Sequence, residues 1–385
     1  MLSVEKLSTK ETPYYLYDAE LLKRTVDEAA RLSVLHGIEV HYAIKANNDA
    51  RLLKTVAAAG MGADCVSGNE VLAAMEAGFP AEKVFYTGVG KTDREISSCL
   101  KLGIGCFNCE SIEEIELIDQ MAGEAGVRAR LSVRINPDID AHTHKYITTG
   151  LEENKFGISE WEFPRLVKAI KACANLDFIG LHFHIGSQIT LVEEVFALEC
   201  EKTSRIVDWF EAQGLQVNNI DLGGGLGIDY EDPDGHPVAD FGTWMGTIAA
   251  KYPLKPHQKL HIEPGRAICG QMGSLISRVL FIKKGQKKQF MILDAGMNDL
   301  IRPALYQAYH KVENLSGAER GDADETFDVV GPVCESSDVW GTGRKLQGGR
   351  RGDIVALRSA GAYGQTMSSR YNMKEIAPAV WSDEL

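Results

Sequence analysis

Lys45 closes the apolar run His41-Tyr42-Ala43-Ile44-Lys45-Ala46-Asn47, and Asn47-Asn48-Asp49 then break the pattern. A primary amine at the C-terminal end of a strand suits nucleophilic or Schiff-base chemistry when the strand belongs to an α/β barrel, because barrel active sites gather at that end. Taken alone, such a lysine is more often an ordinary rim charge. Further polar residues fall at the ends of other strand-like runs: Asp64, Arg134, His182 and His184, Gly223 to Gly225, Glu263 and Arg266. Each has a plainer reading. Asp64 suits a helix cap, the histidines suit a strand face in a hydrogen-bonded core, and the glycines suit a tight turn. One shared site accounts for all of them at once.

The chemistry of that site can be specified. Gly223-Gly224-Gly225 after a strand offers backbone N–H groups without side-chain cover, and Ser187 in His184-Ile185-Gly186-Ser187-Gln188 adds a hydroxyl, a combination suited to phosphate. A lysine, an anion cradle, a flat histidine ring and a carboxylate together fit pyridoxal 5'-phosphate. Lys45 would form the Schiff base, His184 would stack on the pyridine face, and Glu263 would keep the ring nitrogen protonated.

These residues need a scaffold that brings strand ends together. Apolar strands read at 40–45, 63–67, 84–87, 105–109, 131–136, 178–185, 220–222 and 260–263, with amphipathic segments such as 50–59, 69–77, 111–125, 161–174, 191–213 and 241–251 between them. Asp18 caps a further helical pattern over 19–35. Eight strands alternating with helices predict an all-parallel sheet closed as a (β/α)₈ TIM barrel. A doubly wound sheet is the rival, but Gly223-Gly224-Gly225-Leu226-Gly227-Ile228 lacks the last glycine of its fingerprint, and the P-loop-like Thr87-Gly88-Val89-Gly90-Lys91-Thr92 has Phe85 where the first glycine belongs. From about Ser274 the period changes to strands at 275–282, 289–294, 326–330 and 353–358, joined by turn-rich segments, which predicts a C-terminal antiparallel β domain completed by the aromatic N-terminal strand 14–17. The expected division is a barrel over 19–272 and a β domain from 1–18 and 273–385. The polar stretch 313–325 reads as a loop.

The 385 residues are 44% hydrophobic and 25% charged, an ordinary globular make-up. The net charge of -13 is spread along the chain without a basic tract, which argues against nucleic-acid and anionic-membrane partners. Residues 1–12 lack the pattern of a signal peptide, and no run approaches the ~20 apolar residues of a membrane span, so a cytoplasmic location is expected. The eight cysteines are not at staple spacings. Cys106 and Cys109, the only C-x-x-C pair, lack a second ligand pair and read as buried strand residues, so no metal is expected.

Tyr42-Ala43-Ile44-Lys45-Ala46-Asn47, Gly62 to Ser67, His182 to Gln188, Asp221 to Gly227 and Glu263-Pro264-Gly265-Arg266 resemble the fold-type III, alanine-racemase-like decarboxylases, and among them the diaminopimelate decarboxylase family. The likeness runs from about Tyr14 to Asn372. It implies a cofactor set of Lys45, Asp64, His184, Ser187, Gly224, Gly225, Glu263, Gly265, Arg266 and Tyr363. It also implies a head-to-tail homodimer in which Gly331-Pro332-Val333-Cys334-Glu335-Ser336-Ser337-Asp338 of one subunit enters the other's site, with Cys334 as proton donor and Glu335 as a ligand for the substrate's distal ammonium. Arg266, Arg302 and Tyr306 match the family's distal-carboxylate set, and Tyr363 the tyrosine that touches both cofactor and substrate. The implied reaction is decarboxylation of meso-2,6-diaminopimelate to L-lysine and CO₂. Outside the resemblance, Cys334 is one buried thiol among eight, and Arg302 and Tyr306 read as a loop salt bridge and a packed ring.

Two features depart from the family. Gly88-Val89 stands where Gly-Asn is common, and the chain is compact at 385 residues. Three alternatives stand beside the main reading. A polyamine-pathway or basic amino-acid decarboxylase acting on carboxynorspermidine, ornithine or arginine shares the core, but the arginine pair disfavours it. An amino-acid racemase would have arginine where Glu263 stands. A non-catalytic binding protein would not require Lys45.

Overall fold

A computed structural model describes residues 3–139 and 155–385. The chain forms two compact units, one of 25–227 with 240–265 and one of 1–24, 228–239 and 266–385.

In chain order the strands are β1 (Tyr14–Tyr17), β2 (Ile38–Ala43), β3 (Gly62–Cys65), β4 (Val84–Tyr86), β5 (Cys106–Cys109), β6 (Ala129–Arg134), β7 (Leu176–His182), β8 (Asn219–Asp221) and β9 (Lys259–Ile262). They continue with β10 (Gly273–Lys284), β11 (Gln289–Leu293), β12 (Val312–Asn314), β13 (Asp324–Val330), β14 (Val339–Gln347), β15 (Ile354–Leu357) and β16 (Ala379–Trp381).

In the larger unit β2 to β9 pair in parallel and in sequence order, and β2 pairs back to β9, so eight strands close a barrel as predicted. Local chemistry starts the helices that follow the strands. Asp49 caps the helix Ala50–Ala58, Ser67 caps Gly68–Ala77 and Ser111 caps Ile112–Ala125, each accepting backbone N–H bonds in the first turn. A helix missing from the sequence reading, Asp93–Leu102, starts with a full Thr92/Glu95 capping box and buries Ile96, Cys99 and Leu100. The P-loop-like lysine is structural: Lys91 Nζ donates to the carbonyls of Gly88 and Asn108 at 2.8 Å and to Glu114 at 2.6 Å. Cys106 and Cys109 are buried free thiols on β5, as expected.

In the smaller unit the order is β12-β15-β10-β11-β13-β14, with β1 antiparallel to β10 and parallel to β16. The N-terminal strand completes this sheet as predicted, and Tyr14 and Leu16 join Ile276, Ile354, Ala356 and Val380 in its core. The sheet is mixed rather than purely antiparallel, because β11 and β13 run parallel. The chain between them carries the helix Arg302–Tyr306, β12 and a second helix, Leu315–Arg320, a crossover long enough to reverse direction twice. That helix, Leu315–Arg320, corrects the reading of 313–325 as a loop. Asn314 caps it and buried Ser316 and Gly317 anchor it, so capping and burial override the polar composition.

Candidate active site

Lys45 does not sit in the strand as the sequence suggested. β2 ends at Ala43, and Ile44–Ala46 form a single 3₁₀ turn before the chain bends into the next helix. The Tyr42 hydroxyl donates to the Asn47 carbonyl at 2.8 Å and holds that bend, leaving the Lys45 side chain one-third exposed at the rim. Lys45 Nζ lies 3.3 Å from Asp64 Oδ2. Asp64 is buried on β3 and caps no helix; its other oxygen accepts from Thr87 Oγ1 at 2.6 Å, and Thr87 in turn accepts from Asn108 Nδ2 at 2.9 Å. Burial and the Glu263 charge raise the Asp64 carboxyl against the pull of Lys45.

His182 and His184 were expected to share one strand face, but β7 stops at His182 and His184 belongs to the following loop. There Gly224 N–H donates to His184 Nδ1 at 3.2 Å, which fixes the ring's orientation and assigns its remaining proton to Nε2. Burial, with the cations of Lys45 and Arg134, holds His184 well below the usual histidine range, so the ring is neutral.

The His184 loop and the glycine loop are laced together. Ile189 N–H donates to the Gly225 carbonyl at 2.9 Å and Gly227 N–H to the Ile189 carbonyl at 3.0 Å, which places Ser187 and the glycines in one rim segment. Glycine is required here. Gly225 has φ +117°, and a side chain at Gly224 would collide with the Glu263 carbonyl. Gly265 is packed as closely, a Cβ there meeting Ala46 at 3.0 Å and Ala43 at 3.2 Å.

Glu263 immediately follows β9 and is buried. Its Oε2 accepts from His182 Nε2 at 3.1 Å, while Oε1 is buried with no hydrogen-bond partner among the described residues. Burial alone would raise this carboxyl, but His182, Lys45 and His184 outweigh it and hold it well below the carboxylate range. Asp221, at the end of β8, is pushed the other way by burial and by the Glu263 charge. Arg134 acts on this group only through its charge on His184: its own guanidinium pairs with Glu110 at 2.8 Å and covers the Phe156 ring.

The smaller unit holds a second cluster. Arg266 donates through Nη1 to the Tyr230 hydroxyl at 2.6 Å, and its guanidinium lies 5.0 Å from the Tyr363 ring. Tyr363 has φ +54°, a left-handed conformation that bulky residues rarely adopt. The Arg302 guanidinium lies 5.1 Å from the Tyr230 ring, so two buried cations share one phenol. Burial would raise that phenol, but Arg266 and Arg302 outweigh it and lower it. Arg302 Nη1 lies 2.8 Å from His310 Nε2, and among the described residues no carboxylate pairs with Arg302. Arg302 and Tyr306 begin and end one short helix, four residues apart and therefore on one side of it.

Cys334 and Glu335 lie in the turn between β13 and β14 and are exposed, which corrects the reading of Cys334 as a buried thiol. Buried Asp338 shapes that turn, accepting from the backbone N–H groups of Val333 and Met297 at 2.7 Å each. The Tyr371 hydroxyl donates to Glu335 at 2.6 Å.

Residues 21–270 match the family described as pyridoxal-dependent decarboxylase, pyridoxal binding domain. Over 383 residues the chain is 50% identical to diaminopimelate decarboxylase of Bacteroides thetaiotaomicron, covering 99% of this chain and 98% of that one. The chain belongs to the diaminopimelate decarboxylase family. Another member, from Neisseria meningitidis, is 41% identical over 97% of this chain and 90% of its own. The crystal structure of diaminopimelate decarboxylase from Helicobacter pylori complexed with L-lysine superposes with a TM-score of 0.91 at 37% identity, covering 98% and 93% of the two chains.

The family's cofactor is pyridoxal phosphate, and the residues present fit it. The glycine cradle is shaped by backbone that excludes side chains, and an ionised buried carboxylate oxygen without a partner suits a protonated pyridine nitrogen. This chain is a pyridoxal-dependent carboxy-lyase of that family. Among the described residues no helix is long and apolar enough to cross a membrane.

The sequence reading passed over Tyr230, His310, Thr87, Asn108 and Asp338. Asn108 and Thr87 lie at strand ends and carried the same signal as Asp64. Tyr230 and His310 sit in irregular segments, where no periodicity marks a buried face.

Proposed function

We propose that this chain decarboxylates meso-2,6-diaminopimelate to L-lysine and CO₂. The observation that supports this best is Arg302: a buried guanidinium with only neutral side-chain partners needs an anion, and the distal carboxylate distinguishes diaminopimelate from lysine and ornithine. Arg266 and Tyr306 complete the proposed grip on that carboxylate.

Lys45 would attach the cofactor covalently, and Asp64 would orient its amine. Ser187, Gly224, Gly225 and Gly265 would hold the phosphate, neutral His184 would stack on the ring, and Tyr363 would touch cofactor and substrate. When bound, pyridoxal phosphate supplies the electron sink that accepts the pair left by the departing carboxylate. Glu263 keeps a proton on the ring nitrogen because its own carboxyl stays ionised.

Cys334 Sγ then returns a proton to Cα, and Glu335 binds the distal ammonium. Both are exposed in a single chain, which fits delivery to a second copy in a homodimer whose β domain, from 1–18 and 273–385, completes the site of the other copy's barrel over 19–272. A cytoplasmic location belongs to the same reading.

A CO₂-release assay on cofactor-loaded protein tests it, with meso-diaminopimelate beside ornithine, lysine, arginine and carboxynorspermidine. Lysine formed from diaminopimelate, with little turnover of the others, is expected; preferential turnover of a polyamine precursor would overturn the substrate assignment.

A further inference from the structure

We infer that His310 is a positioning residue that holds the Arg302 guanidinium without neutralising it, reserving that charge for a carboxylate on the ligand. The inference rests on the reading of Arg302 given under Proposed function. His310 is 1% exposed and its two ring nitrogens have distinct partners. Nδ1 lies 2.9 Å from the Arg358 carbonyl, which can only accept, so Nδ1 carries the proton. Nε2 is therefore a lone pair, and it accepts from Arg302 Nη1 at 2.8 Å. Burial and the Arg302 charge push the imidazole down to about 3, so it stays a neutral acceptor at any working pH.

Nearby carboxylates are committed elsewhere. Arg358 binds Asp234 at 2.7 Å and Glu313 at 2.6 Å, and its own carbonyl is the group that orients His310. The Tyr230 ring packs edge-on against His310 at 5.2 Å and 82°, so one phenol braces both the imidazole and the Arg302 guanidinium. A carboxylate in place of His310 would hold Arg302 as firmly but would cancel its charge. The imidazole gives the orientation and leaves the cation for an incoming anion.

The test compares His310→Gln, His310→Leu and His310→Glu in the cofactor-loaded enzyme. Each is assayed with meso-diaminopimelate and for inhibition by L-lysine, the product, which keeps the distal carboxylate, and by cadaverine, a diamine of the same length with no carboxylate. Weakening one charge-assisted hydrogen bond to the substrate predicts a KM for diaminopimelate raised about 10- to 150-fold in His310→Glu, with kcat within a few-fold. The lysine inhibition constant should rise in step with KM, while the cadaverine inhibition constant and the cofactor's visible absorbance should be unchanged. His310→Leu should raise KM less, and His310→Gln, which keeps a neutral acceptor, should stay near wild type.

An unaltered KM in both His310→Glu and His310→Leu overturns the inference, as does a cadaverine inhibition constant that rises in step with KM. If His310→Glu does not fold, the Gln and Leu pair decides by the same measures. A wild-type enzyme inactive on diaminopimelate overturns the functional reading and this inference together.

Discussion

His182 Nε2 lies 3.1 Å from Glu263 Oε2 with both side chains buried, and the contact leaves Glu263 Oε1 available for another donor. The pair, together with the Lys45 and His184 fields, keeps Glu263 ionised in surroundings that would otherwise favour its acid form. Glu263→Gln should therefore still bind the cofactor but lose turnover by about 100-fold or more, the scale of removing one preorganised electrostatic partner. A shift in the visible spectrum of the loaded variant would report the altered ring nitrogen. Wild-type kcat in Glu263→Gln would rule out this role.

Arg302→Met should raise the KM for diaminopimelate by about 10- to 150-fold, the range for a hydrogen bond to a charged group, while inhibition by cadaverine, which has no carboxylate, stays near wild type. Steady-state kinetics with both ligands separates this from general damage, which would weaken both.

Shared sites make a sharp statement about mixed dimers. Lys45→Ala should lack the cofactor's covalent absorbance and all turnover, and Cys334→Ala should bind cofactor but turn over slowly. If the Cys334 loop serves a second copy, mixing and re-associating the two variants regenerates wild-type sites in half of each mixed dimer, about a quarter of full activity for random pairing. No recovery, with mixed dimers shown to form, would place Cys334 in its own chain's site or outside catalysis.

Glu70 reports on the barrel rim through pH. Its Oε2 accepts from Val66 N–H at 2.7 Å, and burial raises its carboxyl from 4.5 to about 7. The native state thus keeps a proton that the unfolded chain releases near 4.5, so this contribution is complete below that pH and is lost as pH rises through about 7. Denaturant unfolding of wild type and Glu70→Gln between these limits should show the difference growing by up to about 1.4 kcal/mol per pH unit. Parallel pH profiles would show that Glu70 titrates normally.

The barrel was legible because each strand and helix announces itself locally. Short apolar runs end in Lys45, Asp64 and Glu263, and capping residues such as Ser67 and Ser111 stand where helices begin. Less legible was the sheet of the smaller unit. β14 carries alternating polar residues and two glycines, and the helix Leu315–Arg320 is too short for a period to show. Cys334 looked buried because cysteines usually are, and only the turn pinned by Asp338 shows it exposed.

What the sequence by itself determined was the inventory: a lysine, a glycine cradle, a histidine loop, a carboxylate and an arginine pair, on an alternation that closes as a barrel. Residue types and periods are local properties, and they survive without coordinates. Only the tertiary structure decided the states of those groups. The neutral His184, the ionised Glu263 beside an Asp221 carboxyl raised by burial, and Arg302 held by a lone pair on His310 all depend on burial and on distances of a few ångströms between groups that the sequence alone does not place. Electrostatic energies in a low-dielectric interior change steeply over such distances, and no spacing along a sequence encodes them.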